Sequence, residues 1–192
     1  MISRPKYRPL LLSILAISFS ATVLGTQRDH LTPQEVDLVK EAQILDKRIE
    51  VFIKAADRRL LVLNGKPTDA ASAKQLKKDS ETWGELPTGT RAELVGDIAH
   101  IFDEAITNID DVSSRDERNP LISKALRKLA AAVNRIVAQL GAVRTQAKSE
   151  AEVASFGLLD EDAQSILEAV NKLPPEVEKK SKGKNDKAKD KN

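Results

Sequence analysis

The apolar residues Ile122, Leu126, Leu129, Val133, Ile136, Leu140, Val143 and Ala147 alternate spacings of four and three without a break. A period near 3.5 residues puts all eight on one side of a helix, the seam expected of coiled-coil-like packing. Asn119-Pro120 starts this helix, with a capping side chain followed by a proline that gives up no needed amide. A helix with one long apolar stripe must bury it against others. The rest of the chain is therefore read for partners of the same kind.

Two more helices announce their starts. Thr32-Pro33-Gln34-Glu35 and Thr90-Arg91-Ala92-Glu93 are capping boxes, each placing a hydroxyl at the N-cap and a glutamate at N3. Behind the first, Leu38, Ala42, Leu45, Ile49, Phe52, Ala56, Leu60 and Leu63 predict one helix of about 32 residues, ended by Asn64-Gly65 with Pro67 beyond. Behind the second, Leu94, Ile98, Ile101, Ala105, Ile109 and Val112 form the stripe. Only "SSRDERNP" separates it from the third helix, which predicts antiparallel neighbours. After Gly157 the pattern restarts at Leu159, Ala163, Ile166, Val170 and Leu173, and Pro174-Pro175 stops it. Residues 69–82 read as a short polar helix, and Trp83 as a loop residue closing the bundle end or touching a ligand.

The expected fold is all-α: an up-and-down antiparallel bundle of three long helices plus one shorter C-terminal helix, with coiled-coil-like seams. No strand pattern competes with it. The bundle domain is assigned to residues 26–173.

Both ends are expected to lie outside that domain. Arg4, Lys6 and Arg8 precede an apolar run of about 15 residues from Leu10 to Leu24, short of the about 20 that span a bilayer. Residues 1–25 read as a signal peptide cleaved after Gly25, with Ser20 as a second cleavage position and a retained anchor as the alternative. Export to the periplasm or beyond follows. The segment 174–192 ends in "EVEKKSKGKNDKAKDKN", with seven lysines, four acids and almost nothing to bury, and is expected to be disordered.

Export and composition narrow the chemistry. The chain has no cysteine, so neither disulfides nor thiol catalysis is available. Without residues 1–25 the 31 basic residues fall to 28 against 29 acids, close to neutral. Outside residues 1–25 four aromatic residues, Phe52, Trp83, Phe102 and Phe156, leave little for stacking on bases, and with export this argues against nucleic acid as a partner. No Gly-x-Ser-x-Gly elbow, phosphate-binding glycine loop or zinc-type histidine pair is present. A non-enzymatic role without a cofactor is expected.

Three surface features remain as candidate sites. In "ELVGDIAHIFDEAITNIDD", residues 93–111, a helical projection centres the apolar arc near about 55 degrees from Leu94 and places His100 at about 240 degrees, facing away. Asp97, His100 and Glu104 share that outward side at i, i+3 and i+7, which suits a weak surface metal site or a solvated acidic stripe. Ferritin-like bundles instead project Glu-x-x-His ligands inward from two helices, and this chain has one Asp-x-x-His. Ile44, Val51, Ala55 and Val62 give the first helix a second apolar side, for internal packing or for a protein partner or homodimer. Residues 90–117 hold two arginines and eight acids, and residues 120–149 six basic residues and no acid. Opposite charge across the two helices suits flank pairing, or Lys124, Lys128 and Arg135 face outward and, with the lysine-rich tail, meet an anionic envelope surface.

The segments "LDKRIEVFIKAADRRLLVL", "LPTGTRAELVGDI" and "RNPLISKALRKLA" resemble exported bacterial all-helical proteins with no assigned activity. That resemblance implies architecture and export. "LTPQE" is similar to the Leu-Thr-x-x-Gln signature of periplasmic helical-hairpin chaperones, with Glu35 in place of the glutamine and a single copy. It implies, as the alternative role, a helical chaperone or stress sensor, to which the Asp97, His100 and Glu104 side would add weak surface metal affinity.

Overall fold

The computed structural model describes residues 28–65 and 70–174, and these are helical with no strand. The expected signal peptide and nearly all of the expected tail lie outside the described residues. The helices are α1 (Pro33–Glu41), α2 (Leu45–Leu63), α3 (Ala70–Trp83), α4 (Arg91–Arg115), α5 (Pro120–Gln139), α6 (Gly141–Thr145) and α7 (Glu150–Asn171). None of the described helices is long and apolar enough to cross a membrane.

Both predicted capping boxes form, with Thr32 and Thr90 each accepting from the N3 amide while Glu35 and Glu93 accept from the N-cap amides. Ser149 and Glu152 make a third that the sequence reading missed. It starts α7 seven residues before Gly157, so that glycine sits inside the helix. The C-terminal helix is thus 22 residues long, not the shorter one expected.

Two further expectations are corrected. The predicted helix from residue 33 to 63 is broken at 42–44, where Ala42 and Ile44 leave the helical region with ψ angles of 82° and 128°. Arg48 Nε caps the freed Ala42 carbonyl at 2.9 Å. The break lets α1 fold back and bury Glu35 against the C-terminal third of α2. The third seam is interrupted at Leu140, where the chain restarts as α6. Leu140 and Val143 stay buried through the bend, so the apolar spacing survives while the helix does not.

Four long helices enclose the core. α4 packs mainly on α7 and α2, and α5 on α2 and α7, while α4 and α5 meet across one diagonal. The contacts fix their directions. Arg48 reaches Asn108 and Arg59 approaches Asp97, so α2 and α4 are antiparallel. Asp46 pairs with Lys124 and Asp57 with Arg135, so α2 and α5 run parallel. Arg91 pairs with Glu152, and Ile109 and Ile166 line one small cavity, so α4 and α7 also run parallel. Phe52, Phe102, Ile98, Leu129, Ile136 and Leu159 are fully buried at the centre.

Because α4 and α5 are diagonal, their opposite charges do not pair flank to flank. Lys124, Lys128 and Arg135 of α5 pair instead with acids of α2, and Arg127 donates to the Pro174 carbonyl. Arg144 of α6 makes two bonds to Asp160 of α7, at 2.7 and 2.5 Å.

Candidate functional site

The least ordinary feature of the interior is a cluster of charges at the junction of α1, α2 and α4. Arg58 and Arg59 are adjacent on α2, yet both are buried, because α1 and the 84–87 segment cover one flank and α4 the other. Glu35, fully buried, faces both. Its Oε1 accepts from Arg59 Nη1 at 2.7 Å and lies 3.0 Å from Arg58 Nε, while Oε2 accepts from the Thr32 amide at 2.9 Å. Arg59 also donates to the Ala55 and His30 carbonyls at 2.9 and 2.6 Å. One carboxylate therefore serves a helix cap and two guanidinium groups.

Asp97 extends the cluster from α4. Arg28 Nη2 donates to its Oδ2 at 2.8 Å, and Arg59 Nε stands 3.7 Å away. Burial pushes the Asp97 carboxyl above its ordinary range, opposed by Arg28 and Arg59. Arg58 points the other way. Its Nη2 donates to the Gly84 and Glu85 carbonyls at 3.2 and 2.5 Å, and its guanidinium carbon lies 5.7 Å from the centre of the Trp83 ring. Gly84 turns the chain there with a φ of +67°, a conformation costly for other residues. Burial pushes the Arg58 guanidinium below its ordinary value, opposed chiefly by the charge of Glu35.

Beyond Arg58 the surface opens into a cleft of about 500 Å³ between α2 and α3. Its apolar wall is Leu61, Ala73, Leu76 and Leu86, and Lys54, Asp57, Arg58, Lys77 and Asp79 stand around it. α3 forms this wall because it lies outside the four-helix core, touching mainly α1 and burying none of its described side chains. Lys54 of α2 holds it through Asp79 at 2.8 Å. Apolar walls plus fixed polar groups are the ordinary makings of a small-molecule site, and the volume falls in the usual range of about 300–1,000 Å³.

The residues singled out from sequence are distributed otherwise. His100 is exposed, as the projection required, but Asp97 is buried: it lies about 115 degrees from the centre of the apolar arc, a margin that α2 and residues 28–30 cover. Glu104 is engaged by His30 Nε2 at 2.8 Å, and the His30 and His100 rings stand 5.8 Å apart. Asp97, His100 and Glu104 therefore do not converge. Among the described residues no three or more acids and histidines are gathered to hold a metal ion.

Lys124 pairs with Asp46 at 2.6 Å, Lys128 with Asp46 at 3.1 Å and with Glu50, and Arg135 with both Asp57 oxygens at 2.7 and 3.0 Å. The outward cations of the sequence reading are thus engaged by α2. Ile44 is 55% exposed, Val51 and Val62 are half-buried, and Ala55 is fully buried. Trp83 is the last residue of α3 and not part of a loop.

Sequence reasoning missed Arg58 and Arg59, and read Glu35 only as a cap. The available signal was two consecutive arginines set between Ala56 and Leu60 of an apolar stripe. Comparison with protein-family models, curated proteins and solved structures finds no match.

Proposed function

We propose that the chain is an exported, non-enzymatic binding protein of the cell envelope whose helical bundle holds a ligand between α2 and α3. The observation that carries this reading is the cleft itself, walled by an outlying helix and floored by the buried Arg58. Leu61, Leu76 and Leu86 supply apolar area there, and Arg58 fixes the 84–87 segment through its two carbonyl contacts. The polar groups in reach are ion pairs and hydrogen-bond donors already set in place, which is the chemistry of holding a ligand. Export rests on the basic, then apolar, N-terminal sequence.

A photo-reactive residue placed at Leu61 in the producing cell tests the site. An adduct is expected at 61 and absent from the exposed control Asn134 on α5; equal labelling at both positions removes the cleft as the site. Cell fractionation, with the N-terminal mass of the exported chain, tests the compartment. Retention in the cytoplasm ends the envelope assignment.

A second reading is a protein partner or homodimer meeting the second apolar side of the first predicted helix, favoured by the exposure of Ile44, the N-cap of α2, with the half-buried Val51 and Val62 on α2. Sedimentation over a range of concentration, with Ile44→Glu beside the parent chain, decides it. An anionic envelope surface would have to be met chiefly by the lysine-rich tail, since Lys124, Lys128 and Arg135 are paired with acids of α2. Binding to anionic vesicles that survives deletion of residues 176–192 would contradict that.

A further inference from the structure

We propose that the cleft between α2 and α3 takes a single-chain alkyl carboxylate, its head at Arg58 and Lys77 and its chain along Leu61, Leu76 and Leu86. This rests on the reading of the cleft as a binding site and names the class of ligand. The argument begins with the carboxylates around the cleft. Both Asp57 oxygens are held by Arg135, and the two Asp79 oxygens by Lys54 and Gln75 at 2.8 and 2.9 Å. Each of these four oxygens already accepts one bond, so a cationic ligand would have to share a carboxylate with a partner already in place. Glu85 brings its carbonyl to Arg58, and its side chain stands exposed at the rim.

The cations are less fully matched. Glu35 is shared between Arg58 and Arg59, and Asp97, which assists Arg59, is itself held by Arg28. The buried Arg58 Nε has no aligned hydrogen bond, although Glu35 is near. Arg58 thus has a shared carboxylate, two neutral carbonyls and the more distant charge of Asp79 as its compensation. Lys77 lies within 4 Å of no acid among the described residues, and Lys54 is the only other cation at the cleft. A carboxylate accepts charge-assisted hydrogen bonds from guanidinium and ammonium groups, and such bonds are roughly twice as strong as neutral ones. The apolar wall then asks for a tail.

The size of the cleft sets the rest of the class. A volume of about 500 Å³ open on one side holds one chain of moderate length, not a two-chain lipid. Burial of each further methylene against the leucines adds to the affinity. A chain of medium length therefore gains from the wall what the head alone does not supply.

The experiment titrates the full exported chain with decanoate, decanol and decylammonium below their micellar concentrations, by calorimetry and by the fluorescence of Trp83, the single tryptophan. Decanoate is expected to bind at one site and perturb Trp83, with decanol and decylammonium at least tenfold weaker. Lys77→Glu is expected to weaken decanoate about tenfold and Leu76→Asp to abolish it, with helix content unchanged because α3 buries none of its described side chains. Equal or tighter binding of decylammonium overturns the proposal. So does decanoate binding that Leu76→Asp leaves intact. Adducts at residue 61 without decanoate binding would sink the carboxylate class and leave the cleft standing; absence of both would remove both.

Discussion

Each oxygen of the Glu35 carboxylate is spent on a different part of the chain: Oε2 closes the cap of α1 and Oε1 neutralises the arginines of α2. Removing one partner of a buried pair leaves the other charged in a poorly solvated place, which typically costs about 3–5 kcal/mol. Glu35→Ala is expected to lose that much, read as a fall in the urea midpoint at unchanged slope. Glu35→Gln keeps an oxygen for the cap and should lose less. A loss under about 1 kcal/mol for the alanine variant would show that the cluster is not buried in solution. Asp162 makes the second residue-scale prediction. Burial, then the nearby charge of Asp103 and that of Glu161, raise its carboxyl to about 6, with His100 opposing. The folded chain then keeps a proton that the unfolded chain has lost, so stability falls as pH rises from about 4 to about 6 and stays lower above it. Asp162→Asn should flatten that part of the profile and stabilise the chain at pH 7 by about 1 kcal/mol, after discounting for solvent screening of a half-exposed group. Thermal midpoints of both chains between pH 4 and 7 check it; parallel curves would count against it. Asp46 acts in a separate window. Held at about 2 by Lys124 and Lys128, its stabilisation is present above about pH 4 and is lost as pH falls toward 2.

At the scale of elements, the starts at Thr32, Thr90 and Asn119 and the end at Asn64-Gly65 were legible, while the start at Ser149 and the break at 42–44 were not. Thr32, Thr90 and Asn119 each cap through a side chain whose bond is local, so the sequence around them contains all the information needed. The break at 42–44 has no proline or glycine to mark it. It is held by Arg48 on the Ala42 carbonyl and by the burial of Glu35 against α2, contacts invisible to periodicity. Gly157 shows the reverse error. A lone glycine reads as a stop, but the capping box at Ser149 carries α7 through it, where the helix costs about 0.5–1 kcal/mol relative to alanine. A Cβ at 157 would meet nothing within 4 Å. Gly157→Ala should therefore raise stability by that amount in denaturant titration. A neutral or destabilising result would restore the helix boundary that the apolar spacing indicated.

At the scale of the whole molecule, an all-helical fold was legible because every apolar stripe has the helical period, while the order of helices around the core was not. A four-residue link between α4 and α5 fixes that they are antiparallel, not that they lie side by side. Opposite charge made adjacency the natural reading, and α2 intercepted those charges instead. The cleft was illegible for the same kind of reason: its wall is an outlying helix with few apolar residues, and its floor is Arg58, an arginine inside an apolar stripe. The order of helices is directly testable because the chain has no cysteine of its own. A Cβ built at Gly96 lies 3.5 Å from Ser155 Oγ, close to the separations that disulfides tolerate. Gly96→Cys with Ser155→Cys should oxidise to an intramolecular disulfide, seen by mass and by mobility on a non-reducing gel, and should stabilise the chain by up to about 4 kcal/mol on the chain-entropy account. The pair Asp103→Cys with Ala131→Cys, on exposed sides of α4 and α5, should stay reduced. If the second pair closes and the first does not, α4 and α5 are flank neighbours, their opposite charges pair directly, and α2 cannot hold Lys124, Lys128 and Arg135 as described.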